Sequence, residues 1–230
     1  MLPRTLEPEV MDTVEEAVDY DSMDHSAVNT LFVEELLGVL RQSGLAEAAP
    51  LTALDLGTGT ALIPIELVRT SDQFASVLAC DLSQQMLRLA RKHIADTPLE
   101  DVILPVFCDA KQMPVAARSC RVIISNSIVH HIPQPADVFA EMRRVIADDG
   151  LLFVRDLMRP QTTDELEQIV LTYAAEENAH QQQMFRESLH AALTVDEVGD
   201  LLAAANFPRD WVTATSDRHW TIAGRLQPDA

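Results

Sequence analysis

The chain has 230 residues, 47% of them hydrophobic, which is enough for one fully packed core, and 17 basic residues stand against 36 acidic ones for a formal net charge of −19. So acidic a surface repels phosphate backbones, and no Lys/Arg cluster offsets it, so nucleic acid is not expected as a partner. No apolar run approaches the roughly 20 residues that span a bilayer, and the N-terminus lacks the basic and apolar regions of a signal peptide, so a cytoplasmic chain without membrane insertion is expected.

Acids crowd the beginning: Glu7, Glu9, Asp12, Glu15, Glu16, Asp19, Asp21 and Asp24 face only Arg4. A solvated leader is the plain reading of this stretch; a lid over a cationic ligand is the sharper one. Ser26–Leu40 follows as an amphipathic helix, with Val28, Leu31, Phe32, Leu36 and Val39 at helical spacing. From Leu51 onward short apolar runs alternate with longer amphipathic segments. Strands are expected at Leu51–Leu56, Ser76–Cys80, Val102–Phe107, Arg121–Ser125 and Gly150–Arg155. Helices are expected at about Ala61–Arg69, Ser83–Ala95, Ala136–Ile146, Thr163–Asn178 and Val195–Ala204. Such alternation implies parallel strands joined by right-handed crossovers, hence an α/β, doubly wound, Rossmann-like sheet.

Pro64 falls in the first turn of its helix, where N–H groups lack intrahelical partners, and is tolerated. Thr162 with Glu165 and Thr194 with Glu197 form capping-box patterns. Trp211–Thr215 and His219–Gly224 flank a short polar turn and read as a β-hairpin. The chain is expected to be one domain, 1–230, made of a helical lid over 1–48 and a core over 49–230. An insertion at about 160–193 lies within that core. Cys80, Cys108 and Cys120 form no paired motif and sit in or beside apolar runs, as buried free thiols do.

The turn after the first strand, Asp55-Leu-Gly57-Thr-Gly59-Thr-Ala61, carries the most chemical information. Gly57 and Gly59 allow a tight turn and a close ligand approach, while Asp55 makes the corner negative. A pyrophosphate would want that corner positive; a sulfonium bearing an amino acid suits a carboxylate better. A dinucleotide fingerprint would also need glycine three residues after Gly59, and Leu62 stands there. The run resembles the acidic-x-Gly-x-Gly-x-Gly motif of class I S-adenosylmethionine (SAM)-dependent methyltransferases, with Ala61 in place of the third glycine. This resemblance implies a seven-stranded sheet ending in an antiparallel hairpin strand, with SAM as cofactor and S-adenosylhomocysteine as product.

Cofactor residues follow strand by strand. Asp81 ends the second strand, 24 residues after Gly57, where a carboxylate accepts both ribose hydroxyls; its plainer role is to cap the helix at Ser83. Leu82 and Met86 would flank the adenine. The resemblance implies that Asp109 accepts the adenine amino group, with the backbone at Ala110 beside it. Thr58, between the glycines, and Asn126, where the fourth strand ends, complete the set. Ahead of the sheet, Tyr20 resembles a tyrosine that quinone-biosynthesis methyltransferases fold over the methionine end of SAM. A cation over such a ring gains about 0.5–2 kcal/mol.

The fourth strand exits into Ser125-Asn126-Ser127-Ile128-Val129-His130-His131-Ile132-Pro133. The Asn/Asp-Pro-Pro-aromatic signature of amine and base methyltransferases is absent. The run instead resembles the paired-His segment of small-molecule methyltransferases, implying a small-molecule acceptor. His130 is the candidate general base. Two adjacent histidines cannot both face inward from a helix, and no third ligand lies near them in sequence, so no metal is expected. His25 reads as an N-cap neighbour, and Arg155, Arg159 and Arg186 as carboxylate clamps or structural ion-pair partners. Oligomeric state leaves no mark on the sequence.

Overall fold

The computed structural model describes every residue except 1, 8, 9, 11, 49 and 228–230. In chain order the helices and strands are α1 (Val14–Asp21), α2 (Ser26–Gln42), β1 (Leu51–Leu56), α3 (Leu62–Thr70), β2 (Phe74–Asp81), α4 (Gln84–Ala95) and β3 (Ile103–Phe107). There follow β4 (Cys120–Asn126), α5 (Pro135–Val145), β5 (Ile146–Leu157), α6 (Thr163–Tyr173), α7 (Ala179–Ala191), α8 (Val195–Ala204), β6 (Val212–Ala214) and β7 (His219–Arg225). The strands form one seven-stranded sheet in the order β3-β2-β1-β4-β5-β7-β6. β1 pairs in parallel with both β2 and β4, β2 pairs in parallel with β3, and β6 pairs antiparallel with β7. The expected doubly wound sheet with its closing hairpin is thus the observed one.

The chain groups into two compact units. The first in sequence weight comprises Val10–Asn126, Ala140–Val154 and Ala223–Ala230. Its core joins Phe32, Leu36 and Leu40 of α2 to Leu51, Ala53, Val77, Val122, Ile124 and Phe153 of the strands. Phe32 meets Phe153 edge to face at 5.0 Å between ring centroids. Each such side chain contributes about 1.5–3 kcal/mol on burial, so α2 is held by its apolar stripe rather than by helix propensity. Helices on both faces bury β1 along almost its whole length, which explains its unbroken apolar run.

The acidic leader forms a helix the sequence reading did not resolve. Thr13 accepts from the Glu16 N–H at 3.1 Å, and Glu16 Oε2 accepts from the Thr13 N–H at 3.1 Å, a reciprocal cap that starts α1. Asp12 Oδ1 accepts from Ser83 Oγ and the Gln84 N–H, both at 3.2 Å, placing a carboxylate on the positive end of α4. Asp21 pairs with His93 of α4 at 3.3 Å. The leader's acids are therefore partly absorbed by α4.

The second unit comprises Met1–Glu9, Ser127–Phe139 and Arg155–Ile222. Its core is Leu157, Leu166, Ile169, Val170, Ala174, Leu189 and Ala192. One helix was expected over Thr163–Asn178. Instead α6 stops at Tyr173, and Asn178 starts α7 by accepting from the His180 and Gln181 N–H groups at 2.9 and 3.0 Å. Arg186 of α7 bonds Glu167 of α6 at 2.9 Å, and Arg159 bonds Glu197 of α8 at 2.6 Å and the Ala192 carbonyl at 2.9 Å. Both arginines are structural ion-pair partners. Arg155 is buried, with Nε donating to Thr221 Oγ1 at 3.1 Å.

Candidate active site

The β1–α3 turn is built as its residues require. Gly57 and Gly59 take φ of 69° and 55°, where side chains are disfavoured. Ala61, at the third-glycine position, also sits at φ 63° as the N-cap of α3, without a side-chain cap. A left-handed residue with a Cβ costs about 1–2 kcal/mol, so this loop holds stored strain. Two bonds fix the loop against β2: the Thr58 N–H donates to the Cys80 carbonyl at 2.9 Å, and the Gly59 N–H to Asp81 Oδ2 at 2.8 Å.

Asp81 Oδ1 accepts from the Ser83 N–H at 2.8 Å, while Ser83 itself caps α4 by accepting from the Met86 N–H at 3.2 Å. The cap belongs to Ser83, and Asp81 instead ties the glycine turn to the start of α4. Met86 is buried on α4, and Leu82 is half-buried beside Asp81.

Tyr20, His25 and Asn29 of the leader meet Asp55, Gly57, Thr58, Thr60 and Asn126 around one narrow cleft of about 20 Å³. Leu62 and Ile63 of α3 complete its wall. Tyr20 Cε1 stands 3.8 Å from where a Cβ on Gly59 would lie, and the His25 ring stacks on Tyr20 at 4.5 Å between centroids. His25 is at the N-cap of α2, but its ring serves the cleft: Nε2 lies 3.0 Å from the Tyr20 carbonyl. Asn29 carried no sequence signal, since its approach depends on how α1 and α2 fold back; His25 was read as a neighbour of the α2 N-cap, and Thr60 only as part of the glycine turn.

The electrostatics of this cleft are unusual. Asp55 is 2% exposed, and its Oδ2 makes no well-aligned hydrogen bond; the same is true of the buried hydroxyls of Thr60 and of Thr58, although Thr58 stands close enough to the carboxyl to act on it. Burial pushes the Asp55 carboxyl up to about 7; the nearby Thr58 hydroxyl opposes the rise and the Asp81 charge adds to it. Burial likewise pushes the Tyr20 phenol up to about 12, with Asp81, Asp55 and Asp21 adding. A buried carboxylate short of donors, beside two orphaned hydroxyls and a neutral aromatic ring, is a donor set for a ligand that brings N–H, O–H and positive charge. The residues therefore fit a sulfonium nucleoside.

Asp109 lies elsewhere. Its Oδ1 accepts from the Lys111 N–H at 2.8 Å and pairs with Lys111 Nζ at 3.2 Å, in a turn closed by an antiparallel bridge to Gln112. Of the expected cofactor residues, Asp81, Leu82, Met86, Asp109 and half-buried Ala110 all stand outside the lining of this small cleft.

In the other unit His130 is 4% exposed, in a 3-10 turn over Val129–His131. Its Nδ1 hydrogen-bonds Asp156 Oδ1, and its Nε2 faces Glu7 Oε1 at 3.5 Å. Asp156 Oδ2 also accepts from the Val129 N–H at 2.5 Å and the His130 N–H at 3.3 Å. Burial alone would lower the imidazole, but Asp156 and then Glu7 outweigh it and hold it above its ordinary value. The sequence suggested a base open to substrate; the structure gives His130 carboxylates on both ring nitrogens. The 3-10 turn also defeats the helix argument, since it brings the two His rings to 4.1 Å, with His131 Nδ1 at 3.1 Å from Glu7 Oε1.

Comparison with known proteins agrees with this geometry. Residues 54–154 match the family model described as "Methyltransferase domain". A malonyl-[acyl-carrier protein] O-methyltransferase from Geobacter sulfurreducens is 31% identical over 193 residues, 83% of this chain and 66% of that protein. The chain spans 40–66% of the length of the first curated relatives it matches. A candidate SAM-dependent methyltransferase from Methanococcus maripaludis superposes with a TM-score of 0.72 at 19% identity, covering 98% of each chain. The plantazolicin methyltransferase BpumL, solved with S-adenosylhomocysteine, superposes with a TM-score of 0.64 at 15% identity, covering 91% of this chain and 90% of that one. Sequence motif, sheet order and these matches converge on one family, the class I SAM-dependent methyltransferases.

Proposed function

We propose that this protein transfers a methyl group from SAM to a small organic acceptor. The observation that carries the reading is the cleft in which Asp55, with its orphaned buried oxygen, meets Tyr20 and the glycine turn. SAM, when bound, supplies a methyl group already activated by its sulfonium. The protein's part is to orient, to exclude water and to neutralise charge, which leaves a strong cofactor imprint and a faint catalytic one.

In this reading Asp81, fixed by the Gly59 and Ser83 N–H groups, receives the ribose hydroxyls, and Leu82 and Met86 flank the base. Asp55, Thr58 and Asn126 hold the polar amino-acid end, and the neutral ring of Tyr20 covers the sulfonium. Ligand pockets usually measure about 300–1,000 Å³, so the leader carrying Tyr20 must swing away to admit the cofactor and close behind it. Asp109 and the backbone at Ala110, at the exit of β3, meet the edge of the adenine. The relative from Geobacter sulfurreducens acts, by name, on malonyl-[acyl-carrier protein]. With a net charge of −19 this chain suits a small acceptor better than an acidic protein partner.

Calorimetric titration with SAM tests the reading. Saturable sub-millimolar binding is expected, weakened at least about tenfold by Asp81→Ala, the loss of two charge-assisted hydrogen bonds. An absence of binding at millimolar SAM overturns it.

A further inference from the structure

We propose that Glu7, His130 and His131 form a binding site for one divalent transition-metal ion of the Zn2+ type. Glu7 Oε1, His130 Nε2 and His131 Nδ1 all lie within 4.8 Å of one another, with Glu7 Oε1 at 3.1 Å from His131 and 3.5 Å from His130. Ligand atoms held about 2.1 Å from a tetrahedral ion stand about 3.4 Å apart, and those two spacings bracket that value.

The chemistry of the cluster asks for a cation. Asp156 Oδ1 accepts from His130 Nδ1, so the proton of a neutral ring is assigned there. His130 Nε2 then presents a lone pair to a carboxylate oxygen 3.5 Å away, and two acceptors face each other. A positive centre between them resolves the conflict: a second ring proton or a metal ion. The distance exceeds that of an N–H···O bond, and neither Glu7 Oε1 nor His131 Nδ1 has an aligned hydrogen bond although both atoms are buried. His131 Nδ1, 3.1 Å from the same oxygen, hydrogen-bonds it in one tautomer and turns a lone pair to the same point in the other.

The surroundings match those of metal ligands. A ligating histidine typically gives its other nitrogen to a carboxylate, as His130 does to Asp156, and the ligating carboxylate is itself hydrogen-bonded. Ser188 Oγ donates to Glu7 Oε2 at 3.1 Å. Arg4 holds the leader in register by donating to the carbonyls of Ala191 at 2.7 Å, Ile132 at 2.9 Å and His130 at 3.1 Å. A two-imidazole, one-carboxylate set favours Zn2+, Fe2+ or Ni2+ over Ca2+ or Mg2+, and leaves further coordination positions for water or an oxygen ligand.

The test uses the full chain, stripped with a chelator and titrated first with Co2+ and then with Zn2+. Expected are one ion per chain, a visible absorption band from low-symmetry Co2+, its displacement by one equivalent of Zn2+, and a metal-dependent rise in melting temperature. Glu7→Gln and His131→Ala should each weaken binding by more than about tenfold, since even an outer-shell partner is worth roughly 10–100-fold. If His131→Ala does not fold, Glu7→Gln carries the test, because Glu7 lies on extended leader outside any helix or strand. Absence of saturable binding, or binding unchanged in Glu7→Gln, overturns the proposal; the latter assigns the ion to surface carboxylates. SAM titration of the stripped protein reads the cofactor cleft separately.

Discussion

Asp55→Asn is the substitution whose effect the structure specifies most fully. The carboxyl is buried, one oxygen is without a partner, and its pKa stands at about 7 against an ordinary value of about 3.9. The folded protein therefore binds this proton more tightly than the unfolded chain does. Stability contributed by this group falls as pH rises from about 4 to about 7 and is level above that. At 1.36 kcal/mol per unit the cost near pH 8 is up to about 4 kcal/mol. Asparagine keeps the shape and never ionises, but leaves a buried amide short of partners, costing about 1–3 kcal/mol. The variant should be about 1–3 kcal/mol more stable than the parent at pH 8 and no more stable, or less so, at pH 4.5. Urea unfolding followed by tryptophan fluorescence at both pH values measures this. The same variant should bind SAM at least about tenfold more weakly at pH 8, the opposite trends expected of a residue kept for a ligand. A stability difference independent of pH would refute the reasoning.

Three further outcomes follow from other parts of the molecule. Arg4→Ala removes four carbonyl contacts and should lower stability by about 1–3 kcal/mol, with the leader becoming sensitive to limited proteolysis while α8 stays protected. Gly150→Ala puts a Cβ 2.6 Å from Ile146 Cγ1 and 3.0 Å from the Ala147 carbonyl oxygen, and should cost about 1–3 kcal/mol in chemical denaturation. Thr13→Ala removes the cap of α1 and should cost about 1 kcal/mol, seen as faster amide exchange in α1 with little change in the strands.

The sheet was legible because its strands are written as short apolar runs between glycine and polar turns. β1 runs Leu51–Leu56 as expected, and the other four parallel-type strands differ from expectation by one to four residues at their ends. α1 and α7 were not legible. Each depends on a reciprocal cap, Thr13 with Glu16 and Asn178 with Gln181, inside a stretch whose polarity masks its period. In the cleft, Asp55, Gly57, Thr58 and Asn126 could be read because each lies at the carboxyl end of a strand or in the turn that leaves it. Asn29 and the cleft-facing position of His25 could not, since they arrive through the folding of the leader. The same holds for Glu7, which lies more than a hundred residues from the paired histidines and meets them where Arg4, Thr5 and Ser188 hold the leader's path. Asp109, a strand-end acid, pairs with Lys111 within its own turn.

A structure of the chain with S-adenosylhomocysteine tests the central claim most directly. The nucleoside should lie against the glycine turn, its ribose hydroxyls on Asp81, its amino-acid end toward Asp55 and Asn126, and Tyr20 over the sulfur. A nucleoside bound away from that turn, or bound there with Asp55 and Asp81 making no contact to it, would contradict the account.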